Sequence, residues 1–255
     1  MGEKTAFVPL PEDLTRVHIV KRRNRFAVEA RVDVQNRVRE TKPAPSRAVS
    51  DESGQLLLHL PNSGRMQELL VPGTPALAAL DGGGARTLLL VYYNERWVSV
   101  DARMPNKLFE RCLIGEFFPM FRDYDQWRAE VAWRQGRIDF MLRSSDDGVP
   151  PLLVETKSCN LVEDGLALFP DAPTERGARH LRELIEAVQD GYRAAVVWFV
   201  QRDDAHRLAP YREADPAFAD AVADARTAGV ELHAYRCRVS PEGIEVLDEI
   251  PVEDA

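Results

Sequence analysis

Two short segments bring together residue types that do phosphate chemistry. Arg137-Ile138-Asp139 carries one acid, and Glu155-Thr156-Lys157 carries a second acid and a lysine sixteen residues on. Apolar neighbours on both sides suit two adjacent strands. On a strand, residues i and i+2 face the same way, so Glu155 and Lys157 share one side and Thr156 takes the other. If Asp139 lies beside Glu155, two carboxylates and an ammonium converge. Carboxylates that close repel unless a cation joins them. A hard, all-oxygen site that keeps several waters suits Mg²⁺, or Mn²⁺. Such a site could activate water and screen a phosphate oxygen, while Lys157 holds the attacking water or the developing charge. The same three residues are also compatible with a buried ion-pair network that binds nothing.

A second feature is basic. Arg16, Lys21, Arg22, Arg23, Arg25, Arg31, Arg37 and Arg39 face only Glu29 and Asp33 in this stretch. This is a phosphate-binding face, or equally a solvated strand face that resists edge pairing. The charge is uneven along the chain. Residues 1–100 hold 14 Lys or Arg against 11 Asp or Glu, and residues 101–255 hold 19 against 30, within a total of -8. An acidic whole does not exclude nucleic acid, because local potential governs the encounter.

The elements that must position these residues divide at about residue 100. In the first part, Phe26, Val28, Ala30, Val32 and Val34 alternate with polar positions, the pattern of a half-buried strand. Gln55–Leu60 and Arg86–Tyr93 read as further strands, and Asn62-Ser63-Gly64, Pro72-Gly73 and Asp81–Gly84 as turns. Short strands with regular turns suggest a small barrel, and an OB-fold over 1–100 fits the size and the basic strand. Thr41–Gly54, rich in Pro, Ser and charge, reads as a flexible loop. In the second part a helix is expected over Asn106–Gly115, a hairpin over Glu130–Trp133 and Arg137–Leu142, and a buried strand from Leu152. A capped helix is expected over Thr174–Gln189, a central strand over Ala194–Val200, a helix over Pro216–Ala228 ended by Gly229, and a strand over Val230–Tyr235. This order gives an α/β domain over 101–255 with a mixed sheet.

Other residues carry weaker signals. His59 is expected to be hydrogen-bonded in a polar barrel turn, with stacking or phosphate contact as its functional alternative. Tyr92, Tyr93 and Trp97 are expected to pack in a core rather than stack on bases. Arg176, Arg179, His180 and Arg182 lie on one helix whose start could approach a phosphate. Cys112, Cys159 and Cys237 are odd in number and widely spaced, so neither a zinc site nor a disulfide framework is suggested. No apolar run reaches the roughly 18 residues a membrane span needs, and the start has no signal-like core. A cytoplasmic protein is the expectation, without membrane partners.

Longer segments extend the picture. Lys21–Val28, His59–Met66, Asn106–Glu110, Arg137–Leu142, Val154–Lys157 and above all Phe169–Leu184 (FPDAPTERGARHLREL) occur in order. On these blocks the chain resembles the sugar fermentation stimulation protein family. The resemblance implies an N-terminal OB-fold and a C-terminal PD-(D/E)XK nuclease-like domain, and DNA as the partner, with RNA left open. It implies Asp139 and Glu155 as Mg²⁺ or Mn²⁺ ligands, Lys157 as the catalytic lysine and Glu110 as a helical acid, with Gln201 a weaker addition whose alternative is a strand end facing solvent. With DNA as the partner, Lys21, Arg22, Arg23 and Arg25 of the basic stretch are the expected contacts. Whether such a protein cleaves DNA or only binds it as a regulator of sugar utilisation is open at this point. The chain departs from the family pattern at Ile138 in place of Pro, Thr156 in place of an apolar residue, Leu60 in place of Cys and Ala178 in place of Gln. A buried Thr156 hydroxyl would need a partner.

Overall fold

The computed structural model describes residues 6–33, 55–80, 86–134 and 136–254. Val34, Arg37, Arg39, the expected Thr41–Gly54 loop and the Asp81–Gly84 turn lie outside them. The chain forms two compact units. The smaller takes in Pro9–Arg103 and Val239–Ile244, and the larger holds Met104–Arg238 and 245–254 with the first strand. Among the described residues no helix is long and apolar enough to cross a membrane.

After β1 (Ala6–Pro9), the smaller unit is built from β2 (Leu14–Asn24), β3 (Ala27–Val32), β4 (Gln55–His59), β5 (Pro75–Leu80), β6 (Arg86–Tyr93) and β7 (Arg96–Ser99). The strands pair in the order β4-β3-β2-β5-β6-β7. A further β4–β6 pairing at His59 and Thr87 closes five of them into a barrel. Alternation fills it: Val17, Ile19, Val28, Ala30, Leu56 and Leu58 all point inward. The 11-residue β2 is not expected from the sequence, because its alternation is masked by the basic cluster. Two expectations are corrected here. Phe26 sits in the β2–β3 turn, 52% exposed, rather than heading a buried face. Tyr92 is exposed and stacks edge-on against Trp97 across β6–β7, at 5.1 Å between ring centres, so this pair is not core.

The larger unit runs α1 (Met104–Ile114), β8 (Gln126–Trp133), β9 (Gly136–Arg143), β10 (Leu152–Cys159), β11 (Val162–Glu163), β12 (Leu166–Phe169), α2 (Glu175–Gln189), β13 (Arg193–Val200), β14 (Arg207–Pro210), α3 (Pro216–Ala228), β15 (Glu231–Ser240) and β16 (Gly243–Ile250). Seven strands pair as β1-β16-β15-β13-β10-β9-β8, while β11, β12 and β14 make a small second sheet. β10, β13 and β15 are parallel, and β8 and β9 are antiparallel to their neighbours. The centre is apolar on both faces, as helices covering both sides require: Ala194–Val200 is wholly buried, as are Leu152, Leu153 and Val154. One face packs on α2 and α3 through Leu153, Leu181, Leu184, Trp198 and Phe218. The other meets α1, where Phe109 stacks on Phe140 at 4.8 Å.

Two devices hold α2 against α3. Thr174 caps α2 by accepting from the Gly177 amide at 3.0 Å. A Cβ on Gly177 would lie 2.7 Å from Thr174 Cγ2 and 3.1 Å from the Phe218 ring, so only glycine lets α3 pack this tightly. The buried Asp215 carboxylate accepts from the Phe218 amide at the start of α3, at 3.0 Å. It also accepts from the Thr174 amide at the start of α2, at 2.7 Å. One carboxylate therefore ties two helix N-termini, where partial positive charge favours it. Replacing it leaves two backbone donors unmet, one of them buried. Asp215→Ala is expected to cost about 2–3 kcal/mol in urea unfolding, and a loss under about 0.5 kcal/mol, the ordinary surface range, would contradict this role.

Candidate metal and phosphate site

The register between β9 and β10 runs up to the residues next to the two acids. Leu142, Met141 and Phe140 pair with Leu152, Leu153 and Val154. The next step would set Asp139 beside Glu155, but the ladder stops there. On its other side, β9 pairs Phe140 with Ala129 and Ile138 with Val131, skipping the pair between, and Glu130 takes a φ of +52°. A non-glycine residue in that region marks a local distortion of the strand. Freed from the ladder, the Asp139 carboxylate turns inward. Its Oδ2 accepts from the Thr156 amide at 2.8 Å, in place of a strand–strand bond.

Asp139 is also tied to α1. Asn106 Nδ2 donates to Asp139 Oδ1 at 3.3 Å. Thr156 Oγ1 lies 2.6 Å from Asn106 Oδ1 and 2.9 Å from Asp139 Oδ2. Its one hydrogen serves one of these at a time. The Thr156 hydroxyl thus has its partner, on the α1 face. Burial raises the Asp139 carboxyl above its ordinary value and the Glu155 charge adds to this, while Lys157 and the Thr156 bonds pull it down.

Glu155 faces α2. It is 3% exposed, and its Oε1 takes both the Lys157 ammonium and His180 Nδ1. Burial alone would raise this carboxyl. The Lys157 charge and the His180 hydrogen bond more than offset it and hold it at about 2. The second oxygen, Oε2, is buried and has no hydrogen-bond partner. A buried acceptor left unmade costs about 1–3 kcal/mol, more when charged.

Those observations test the site for a cation. The Glu155 charge raises the cost of ionising Asp139, and one buried oxygen has no protein donor. The donor set is all oxygen, as a hard divalent ion prefers. Among the described residues no three His, Cys, Asp or Glu side chains cluster as ligands. An ion held by Asp139 and Glu155 would complete its shell with water and backbone oxygens. That fits Mg²⁺ or Mn²⁺ and not a structural zinc site, which is closed by four side chains.

The remaining residues fall as follows. Glu110 is exposed, one turn along α1 from Asn106, and forms no hydrogen bond or ion pair among the described residues. Asn106 is the α1 side chain that reaches Asp139. Gln201 is fully buried and donates to Ser158 Oγ at 2.5 Å, which overturns a solvent-facing strand end. His180 is expected from the sequence as one of a basic group on α2. It is instead buried against Glu155, on the flank of the apolar stripe of Leu181 and Leu184. A polar residue on such a flank is the signal the sequence offers for it. Arg176 and Arg179 are exposed on the same helix.

In the barrel unit, Lys21 and Arg23 both pair with Glu29, at 3.5 and 3.1 Å. Arg22 donates to the carbonyls of Asn24, Arg25 and Arg65 and so braces the β2–β3 turn. Arg25 is exposed in that turn. His59 is exposed too, and its side chain makes no hydrogen bond among the described residues, contrary to the bonded turn expected.

Known proteins resemble the chain in both units. Residues 103–243 match the family described as "Sugar fermentation stimulation protein RE domain", and residues 20–100 match "SfsA N-terminal OB domain". A sugar fermentation stimulation protein homolog of Symbiobacterium thermophilum is 39% identical over 262 residues, covering 96% of each chain. A homolog of Moorella thermoacetica is 39% identical over 251 residues, covering 96% of this chain and 99% of its own. A solved structure of Pyrococcus furiosus SfsA in complex with Ca²⁺ superposes with a TM-score of 0.82 at 26% identity, covering 96% of this chain and 98% of that one. With both units matched and relatives similar along nearly their whole length, the chain belongs to the sugar fermentation stimulation protein family.

Proposed function

We propose that the chain binds DNA and cleaves phosphodiester bonds with Mg²⁺ or Mn²⁺ at a PD-(D/E)XK-type centre. The observation that carries this reading is the buried, partnerless Oε2 of Glu155, whose carboxylate pairs with a lysine and whose charge is felt by a second carboxylate, Asp139. Asp139 and Glu155 would hold the ion. A bound divalent cation would screen the phosphate charge and make a bound water more acidic. Thr156 and Asn106 fix the Asp139 carboxylate, so its direction is set before substrate arrives. Lys157 keeps an ammonium at the Glu155 carboxylate, where it can orient a water or meet the charge growing on phosphate. The Pyrococcus furiosus relative, solved in complex with Ca²⁺, supports a site for a divalent ion in this family.

A second reading is a DNA-binding regulator that uses this domain as a platform without cleavage. It is favoured by the exposed Glu110 and by the absence of a third acidic ligand among the described residues. In both readings the DNA is held by the barrel, with RNA as the competitor to test, and the protein acts in the cytoplasm.

Three outcomes check these readings. Labelled single-stranded and duplex DNA should be cut with Mg²⁺ or Mn²⁺, not with chelator. Asp139→Ala should bind but not cut, and Lys157→Met, checked for folding, should lose about 10²–10³-fold in rate. Binding without cleavage by the wild type, on both substrates and with both ions, would leave the regulator.

The raised Asp139 carboxyl sets a sign for stability. Its charged form is disfavoured by folding, so removing that charge should help the metal-free chain. Asp139→Asn should unfold at equal or higher urea than wild type in chelator, and should lose the stabilisation that wild type gains from Mn²⁺. Lower stability in chelator would contradict a charge penalty set by burial and by Glu155.

Lys21→Ala, Arg23→Ala and Arg25→Ala together should weaken DNA binding and flatten its salt slope, by about 0.9 per lost phosphate contact. Arg22 is left in place because its bonds to backbone carbonyls brace the turn. Unchanged affinity and slope would place the DNA elsewhere.

A further inference from the structure

The chain Arg176–His180–Glu155 constrains more than orientation. His180 and Arg176 are one turn apart on α2, and Arg176 Nε lies 3.3 Å from His180 Nε2. A guanidinium can only donate, so Nε2 must present its lone pair. The ring hydrogen is then on Nδ1, which meets Glu155 Oε1. That oxygen also takes Lys157, so two donors occupy it. His180 is 2% exposed and sealed from competing water. Only Oε2 of Glu155 is left to a ligand.

We propose that His180, with its tautomer set by Arg176, is a positioning residue that reserves Glu155 Oε1 and makes Glu155 a one-oxygen ligand, so that the site selects Mg²⁺ or Mn²⁺ over Ca²⁺. This rests on the metal-centre reading above. Ca²⁺ accepts two-oxygen carboxylates and irregular shells, whereas Mg²⁺ demands near-octahedral geometry with single oxygens. A hydrogen-bond partner behind a ligand typically alters metal affinity by 10–100-fold when removed. Freeing Oε1 would let Glu155 swing or chelate through both oxygens. That should weaken the small ion more than the large one.

The test is direct ion binding by the full chain, without substrate. Free Mn²⁺ is followed by electron paramagnetic resonance, and Ca²⁺ by its competition. His180→Ala should weaken Mn²⁺ by about 10-fold or more, and Ca²⁺ by clearly less, so that the preference moves toward Ca²⁺. In His180→Asn the side-chain amide can replace the Nδ1 donor, and both affinities should return to near wild type. Arg176→Leu changes only an exposed residue, so it tests the relay even if His180→Ala does not fold, and it should weaken Mn²⁺ in the same direction. Asp139→Ala separates the two claims. If it binds both ions like wild type, the metal centre itself is misplaced. If it loses both while His180→Ala and Arg176→Leu keep the wild-type affinities and preference, the centre stands and the positioning role is overturned.

Discussion

Glu155 is a charge taken out of water in the middle of a seven-stranded sheet, and the domain is arranged around that cost. The idealised penalty for burying an unpaired carboxylate is far larger than the stability of a domain, so the group must be paired. Lys157, two residues along the same strand, supplies one partner. His180 supplies the other, and it comes from a helix that must sit close to β10. That helix is in turn packed on α3 through Gly177 against Phe218 and through Asp215, which binds the starts of both helices. Even so, the two partners share one oxygen. The unmet Oε2 is the residual cost, and a bound cation would remove it.

Asp139 solves a different problem. In a regular strand its carboxylate would compete with the ladder for space and its amide would be locked in pairing. The interruption at Glu130, with its left-handed backbone, releases Asp139 from both neighbours. The carboxylate then takes over the Thr156 amide that the ladder leaves unpaired. Thr156 and Asn106 anchor it from the α1 face while Glu155 is anchored from the α2 face. Adjacent residues of one strand, pointing opposite ways, thus fix two carboxylates from two sides of the sheet.

Much of this was legible in the residues. Alternation and the capping signals located α2, and Pro216 and Gly229 bound α3 at both ends. The i, i+2 rule set Glu155 and Lys157 on one face, whereas the strand register stops one pair short of Asp139 and Glu155. What escaped has physical causes. β2 was hidden because its outward positions carry the basic cluster and its register shifts twice against β3, which blurs a period of two. His180 and Asn106 were missed as partners because a polar residue on a helix announces its type and not its target. Their targets lie 25 and 33 residues away in sequence, and only tertiary packing brings them into contact. Arg22 looked equivalent to its basic neighbours, yet its guanidinium is engaged by backbone carbonyls that the sequence cannot display. Phe26 followed the period of its strand but fell in the turn, where the period no longer decides burial.

The most direct measurement is a crystal of the full chain soaked in Mn²⁺, with data collected at an energy where manganese scatters anomalously. The account predicts one strong peak about 2.1 Å from Glu155 Oε2 and from an Asp139 oxygen, with Lys157 and His180 still on Oε1. A peak elsewhere, or none at these carboxylates under ion concentrations that fill other sites, would contradict it.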